Sequence, residues 1–194
     1  MPKRSASKKS KAMADPSAIS RNDAEGQFRV VIETPRGSRN KYSFDREQQV
    51  FVLKKTLPAG MTFPFDFGFV PDTLADDGDP IDVLLLMDEP AFAGCTIRAR
   101  LVGVLEVEER NDKGKKQRND RLIGVALESH NYAEMESLSD LGERLVNDIE
   151  QFFVTYQKLR GNDFRVIGRG DGKRAMQLVE AAAIDRKRPS KKAA

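Results

Sequence analysis

The sequence has few of the residues that build disulfides, zinc sites and membrane spans. Its 194 residues include one cysteine, one histidine and no tryptophan. The single cysteine, Cys95, cannot form an internal disulfide, and the single histidine, His130, has no second histidine or cysteine near it to complete a zinc site. No apolar run reaches the length of about 18 residues that indicates a transmembrane helix. We therefore expect a soluble protein of the cytoplasm.

The two ends of the chain are strongly basic. Residues 1–12 carry five basic side chains and no acidic one, and they lack the apolar run of a secretory signal. Residues 186–194 are of the same kind, and such segments bury too little apolar surface to fold. We expect a basic disordered tail over residues 1–25, one folded domain over residues 26–185 and a second basic tail over residues 186–194. Weak contact between the tails and nucleic acid is consistent with their charge.

Between the tails, most of the chain is predicted to form short strands. Runs of β-branched and aromatic residues alternate with turn residues, which is typical of short antiparallel strands. The predicted strands cover residues 28–33, 41–45, 49–53, 82–87, 96–109, 121–127 and 164–168. The first three follow one another closely and are expected to form a meander, and the last is expected to complete the set. This pattern favours a small closed barrel over an open sheet.

Two helices are predicted towards the C-terminus. Apolar residues recur at steps of three and four between residues 138 and 159, forming one apolar stripe. Ser137 followed by Asp140 has the form of a capping box, and we expect this helix to end near Gly161. A second, shorter helix is predicted over residues 173–184, which are rich in good helix formers. The predicted fold class is α+β, mainly β, with two C-terminal helices flanking the barrel.

The segment DDGDPID, residues 76–82, places four carboxylates within seven residues. Most acidic turns are only solvated turns, but this one lies between apolar segments, where a rigid scaffold holds functional loops. A glycine and a proline permit a sharp, fixed turn, so three carboxylates can face one point: Asp77, Asp79 and Asp82. Aspartates with open water positions are what magnesium uses when it also binds substrate phosphates.

A phosphate substrate also needs cations for its remaining oxygens. Lysine and arginine provide them through charge-assisted hydrogen bonds. The candidates are Lys41, Lys54, Lys55, Arg121 and Lys158. Each of them taken alone is more often a solvated surface charge.

Together these motifs resemble the soluble family I inorganic pyrophosphatases, whose signature is an Asp-Gly-Asp-Pro-x-Asp loop. The resemblance extends over residues 28–183. It rests on DDGDPIDVLLL, on FPFDFGFVPDTLA before it and RARLVGVLEVEE after it, and on VVIETP, KYSFD, NDRLIGVA and FFVTYQKL in the right order. It implies a five-stranded OB-like closed barrel with helices packed outside. It also implies hydrolysis of inorganic pyrophosphate to two phosphates, by attack of a metal-bound water or hydroxide, with several Mg²⁺ ions per site.

The resemblance assigns roles to individual residues of this chain. Asp79 would be the general base towards the attacking water, and the other assigned residues fall into three groups. The metal ligands would be Asp77, Asp82, Glu109 and Asp120; the substrate-binding residues Lys41, Lys54, Tyr156 and Lys158; the supporting residues Glu33 and Arg121. Counting back from RLIGVA places Asn119 at the last metal position, and Asp120 occupies it if the hairpin shifts by one residue. We expect Asp120, since asparagine is a poor substitute for an anionic ligand.

At several positions the chain departs from the family pattern. Phenylalanine replaces tyrosine at Phe63 and Phe67, Ser43 stands where glutamate is common, and Gln157 replaces a lysine, with Lys158 one place later. Two alternative functions therefore stay open. One is a degenerate homologue that binds phosphate compounds with little turnover, and the other is an OB-like protein that binds single-stranded nucleic acid. A homo-oligomer is expected, with a hexamer favoured over a dimer.

Overall fold

The computed structural model describes residues 15–25, 27–110, 114 and 116–184. The strands in these ranges are β1 Arg29–Thr34, β2 Asn40–Asp45, β3 Val50–Thr56, β4 Asp66–Phe69, β5 Asp82–Leu86, β6 Thr96–Arg110, β7 Lys116–Arg118, β8 Arg121–Ala126 and β9 Phe164–Asp171. The helices are α1 Leu138–Leu141, α2 Glu143–Lys158 and α3 Gly172–Ala181. No helix in these ranges is long and apolar enough to span a membrane.

Five strands close into a ring in the order β1, β4, β5, β8, β6 and back to β1. The pairing of β5 with β8 is parallel, and the other four pairings of the ring are antiparallel. The long strand β6 extends past the ring, where it pairs with β7 and β9. The predicted α+β, mainly β fold with a closed set of five strands and helices outside it is thus confirmed.

The strands of the ring are buried on both faces. In β5, Leu84 and Leu86 pack into a cluster with α2, whereas Val83 and Leu85 pack into a second cluster with α3. Alternate residues of a strand point to opposite faces, so one short strand serves two apolar cores. This explains why VLLLM has no polar alternation in the sequence.

The predicted meander is wrong in one respect. Strands β2 and β3 pair with each other, but they form a separate two-stranded sheet, while β1 pairs with β4 and β6. The sequence prediction missed β4, where Gly68 allows the close approach of two backbones. A Cβ atom at position 68 would lie 1.9 Å from the carbonyl oxygen of Val31. The strand expected to complete the set, β9, pairs with β6 outside the ring.

The predicted long helix is divided in two. Gly142 has φ 78° and ψ 143°, which a right-handed helix cannot contain, so α1 ends there and α2 begins. The expected capping interaction is present, because the Asp140 carboxylate accepts a hydrogen bond from the Ser137 N–H at 2.8 Å. The apolar stripe continues through both helices because α1 and α2 lie over the same core.

Residues 15–25, which the predicted division assigns to the N-terminal tail, pack against the folded domain. The Ser17 carbonyl accepts a hydrogen bond from the Asp72 N–H at 2.9 Å, and Arg21 forms ion pairs with Asp72 and Glu180. The expectation of disorder is therefore corrected for this stretch. Residues 1–14 and 185–194 lie outside the described residues, so the tails stay a prediction there.

Candidate active site

A cleft of about 770 Å³ lies where the acidic loop, the end of β6, the β2–β3 hairpin and the end of α2 meet. Nine of the eleven predicted site residues line it: Glu33, Lys41, Lys54, Asp77, Asp79, Asp82, Glu109, Arg121 and Tyr156. The other two, Asp120 and Lys158, do not. Phe63, Phe67 and Gln157, where the chain departs from the family pattern, also line the cleft.

The acidic loop connects β4 to β5 and has the tight conformation that its sequence predicts. Gly78 has φ 90°, in the region that favours glycine. Backbone hydrogen bonds close the turn on both sides: the Ala75 N–H donates to the Asp79 carbonyl at 2.8 Å, and the Gly78 N–H to the Ala75 carbonyl at 3.0 Å. The loop is therefore held by its own backbone, and its carboxylates are available to the cleft.

Burial and neighbouring charge raise the pKa of two carboxylates on the acidic side of the cleft. Partial desolvation, followed by the neighbouring charges of Asp82 and Asp79, raises the pKa of Asp77 above its ordinary value. Burial raises the pKa of Glu33; Lys41 opposes this shift, and the charge of Asp82 adds to it. Both carboxylates are thus less stable as anions than free ones. A bound cation would relieve that strain.

Arg121 links the carboxylates at the floor of the cleft. Its side chain is buried at the start of β8, and its Nη1 lies 2.8 Å from Oδ2 of Asp82. The same nitrogen donates to Oδ1 of Asn119, and the Asn119 amide nitrogen donates to Oε1 of Glu109 at 2.7 Å. A chain of polar contacts therefore runs from Asp82 through Arg121 and Asn119 to Glu109.

The expectation that Asp120 faces the metal position is not met. Its carboxylate accepts hydrogen bonds from the Val107 N–H at 2.8 Å and from Arg118 Nη2 at 2.8 Å, on the side of the hairpin away from the cleft. Asn119 faces the cleft instead. The hairpin does not shift by one residue, because the side chain of Asp120 bonds to the backbone of β6 and so sets the register.

Positive charge gathers on the opposite side of the cleft. Lys41 on β2 is paired across the hairpin with Lys55 on β3. The next pair joins Tyr42 to Leu53, so this register shift leaves Lys54 outside the strand pairing. The Lys41 ammonium lies 4.8 Å from the centre of the Phe67 ring, a cation–π contact. Burial lowers the pKa of Lys55 to about 8, with the charges of Arg160 and Lys41 adding to the shift.

The end of α2 differs from the sequence prediction. Lys158 is exposed and lies outside the cleft, whereas Gln157 and Arg160 line it. The Arg160 guanidinium carbon lies 5.4 Å from the centre of the Tyr156 ring, four residues earlier. Arg160 follows the last residue of α2, so helical spacing does not place it, and the turn after the helix brings it to Tyr156.

Comparison with known proteins agrees with this geometry. A family model described as inorganic pyrophosphatase matches residues 30–187. The chain belongs to the inorganic pyrophosphatase family. An inorganic pyrophosphatase of Synechocystis sp. is 37% identical over 166 residues, which are 86% of this chain and 95% of the relative. One from Methanosarcina acetivorans is 41% identical over 139 residues, 72% of this chain and 80% of the relative.

A solved structure of the family shows the same architecture. The crystal structure of the inorganic pyrophosphatase from Thermus thermophilus superposes with a TM-score of 0.79 at 35% sequence identity. The match covers 89% of this chain and 98% of that one. The predicted membership of the family is therefore confirmed, and so is the fold class.

Proposed function

We propose that this protein is a magnesium-dependent inorganic diphosphatase, which hydrolyses pyrophosphate to two phosphates. One observation carries the proposal: a single cleft has carboxylates on one wall, Asp77, Asp79 and Asp82, and cations on the other, Lys41, Lys54 and Arg160. A polyanion with bound metal fits between such walls, since its phosphates meet the cations and its metal meets the carboxylates. Membership of the family supports the same reaction.

The donor set fits magnesium. Asp77, Asp82 and Glu109 offer the carboxylate oxygens that this ion prefers, and Asn119 adds an amide beside them. Within the described ranges, no group of three or more histidine, cysteine, aspartate or glutamate side chains already surrounds one point. Magnesium is commonly bound by one or two carboxylates together with water and substrate phosphates, so such a group is not required. When bound, the ion lowers the pKa of coordinated water and neutralises phosphate charge.

Other side chains of the cleft would transfer the proton, bind the phosphates and hold the metal ligands in place. The Asp79 carboxylate accepts no hydrogen bond from the described residues, so it is free to take the proton of the attacking water as a general base. Lys41, Lys54 and Tyr156 would hold the phosphate oxygens. Arg121 would keep Asp82 oriented through its ion pair, and Glu33 would support the hairpin by accepting the Phe44 N–H at 3.1 Å.

The test is release of phosphate from pyrophosphate over a range of magnesium concentrations. Release should require magnesium and should fall by about 10² to 10⁴ in Asp79→Asn, the contribution of a general base. Asp76→Asn is the matched control, because Asp76 lies in the same loop but does not line the cleft. Absence of release at every magnesium concentration would contradict the function. Retained phosphate binding would then favour the degenerate homologue.

Assembly and location stay predictions. A homo-oligomer, with a hexamer favoured over a dimer, can be checked by light scattering of the purified chain. Fractionation of cells would test the cytoplasmic location. An oligonucleotide-binding assay would test weak contact of the tails with nucleic acid. Oligonucleotide binding that survives removal of both tails would favour the nucleic-acid alternative over the diphosphatase.

A further inference from the structure

The chain turns back on itself after α2, and Gln157 organises this turn. The Gln157 side chain is 3% exposed, and its Oε1 accepts hydrogen bonds from Nη1 of Arg160 at 2.7 Å and from Nδ2 of Asn162 at 3.0 Å. Its backbone carbonyl accepts from the N–H groups of the same two residues, at 3.0 Å and 3.1 Å. The turn therefore fixes Arg160 at both its backbone and its guanidinium group.

The ring of Tyr156 supports the other side of the guanidinium. Tyr156 is 5% exposed, and its hydroxyl is buried without a hydrogen-bond partner in the described part of the chain. A buried hydroxyl without a partner costs free energy unless a ligand supplies one. The hydroxyl and the guanidinium group belong to residues lining the same cleft, so one ligand with several acceptor oxygens can satisfy both.

Arg160 forms no ion pair with any carboxylate of the described residues, unlike Arg121 and Arg169, whose charges are balanced within the chain. Arg160 lies close enough to Lys55, which has the same charge, to contribute to the lowered pKa of that lysine. Convergence of like charges without a counter-ion is unfavourable in the free protein. A phosphate group would remove that repulsion, and the planar guanidinium can offer it two parallel hydrogen bonds.

We propose that Arg160 is a phosphate-binding residue of this cleft, positioned by the side-chain amide of Gln157 and the ring of Tyr156. The proposal rests on the proposed function and deepens it, because it names the cation that the end of α2 supplies. Lys158, the residue expected from the sequence, has no part in it. Its side chain is exposed and lies outside the cleft.

The experiment compares variants of the full chain by two measurements: calorimetric affinity for inorganic phosphate in the presence of magnesium, and steady-state kinetics with pyrophosphate. Arg160→Ala should weaken phosphate binding and raise KM about tenfold, while changing kcat less than about twofold, as expected for loss of a charge-assisted hydrogen bond used in binding. Arg160→Lys keeps the charge but loses the planar guanidinium group that offers two parallel hydrogen bonds, and it should weaken phosphate binding about threefold.

A positioning role for Gln157 has its own variant. Gln157→Leu removes the acceptor without changing any charge, and should raise KM by an amount between those of the two Arg160 variants. Arg144→Ala is the matched control, because Arg144 is exposed on α2, carries the same charge and lies outside the cleft. It should leave both measurements unchanged. Thermal unfolding of every variant confirms that the fold is intact.

Unchanged phosphate affinity and KM in Arg160→Ala would overturn the proposal, as would an equal loss in Arg144→Ala or Lys158→Ala. A wild-type protein that binds no inorganic phosphate would overturn it as well. A wild type that binds phosphate but hydrolyses no pyrophosphate would contradict the proposed function alone. In that case the phosphate affinities of the variants would still decide the role of Arg160.

Discussion

The two walls of the cleft are built in different ways. The acidic wall comes from a short loop between β4 and β5, two strands of the ring that are buried on both faces. The cationic wall comes from a two-stranded hairpin outside the ring and from the turn after α2. The first wall is local in sequence and rigid in structure. The second joins segments about a hundred residues apart, and its geometry depends on a register shift and on one buried glutamine.

The two walls also differ in how far their charges are neutralised by ion pairs. On the acidic wall, Asp82 is already paired with the buried Arg121, so the protein neutralises part of that charge itself. On the cationic wall, Lys41 and Arg160 lie close to Lys55 behind them, and none of the three forms an ion pair with a described carboxylate. The comparison predicts that changes on the acidic wall affect folding and metal binding, whereas changes on the cationic wall affect substrate affinity and its pH dependence.

The largest effect should come from the scaffold of the acidic wall. Gly68→Ala would place a Cβ atom 1.9 Å from the Val31 carbonyl oxygen, so β1 and β4 would have to separate. We expect the free energy of unfolding to fall by about 3 kcal/mol, measured by chemical denaturation. Gly168→Ala is the control, because its Cβ atom would meet only the flexible Glu106 carboxylate at 3.2 Å. Equal losses in the two variants would show that the close approach at position 68 is not the cause.

The next effect concerns the ion pair at the floor of the cleft. Asp82→Asn leaves the Arg121 guanidinium buried without its carboxylate partner, and should lower the free energy of unfolding by about 1.5 to 3 kcal/mol in magnesium-free buffer. Asp76→Asn, an exposed change of the same kind in the same loop, should leave stability unchanged. An Asp82→Asn variant as stable as the wild type would contradict this prediction, because other groups would then compensate the charge of Arg121.

A pH effect should distinguish the cationic wall. The pKa of Lys55, lowered to about 8, means that its charge is present below that pH and lost above it. The charges of Arg160, just after α2, and of Lys41 on β2 add to this shift, and Lys55 acts on the cleft through these two neighbours because it does not line the cleft itself. Affinity for phosphate should therefore weaken as the pH rises through about 8. In Lys55→Arg the charge persists, so the ratio of the wild-type KM to the variant KM should rise about tenfold between pH 7 and pH 9. A ratio that does not change with pH would contradict this role of Lys55.

The smallest effect should be on metal affinity. Asn119→Asp adds an anionic oxygen beside Glu109, and magnesium affinity rises with the number of charged ligands, so binding should become about threefold tighter. Calorimetric titration with magnesium measures the change. Asp120→Asn is the control, because its carboxylate faces Arg118 and the β6 backbone. A response to Asp120→Asn instead would mean that the hairpin has the register expected from the sequence.

Local patterns explain where the sequence predictions succeeded. The acidic loop was predictable because its glycine and proline restrict the same few residues that carry the carboxylates. The helix cap at Ser137 and Asp140 involves residues three positions apart, and it is present as predicted. The pairing of β1 with β4 was not predictable in this way. Nothing in the local sequence around Gly68 shows that the backbone of β1 packs against it.

The sequence by itself determined the acidic loop, the family, the closed set of short strands and the residue types that we propose bind a metal and a phosphate. Only the tertiary structure decided which neighbour of each pair faces the cleft. Asn119 faces it rather than Asp120, because the Asp120 carboxylate bonds to the β6 backbone. Arg160 faces it rather than Lys158, because Gln157 and Tyr156 hold its guanidinium group. Sequence periodicity sets neither choice, because Asn119 and Asp120 lie between two strands and Arg160 lies past the end of α2; side-chain hydrogen bonds made in the folded chain set both.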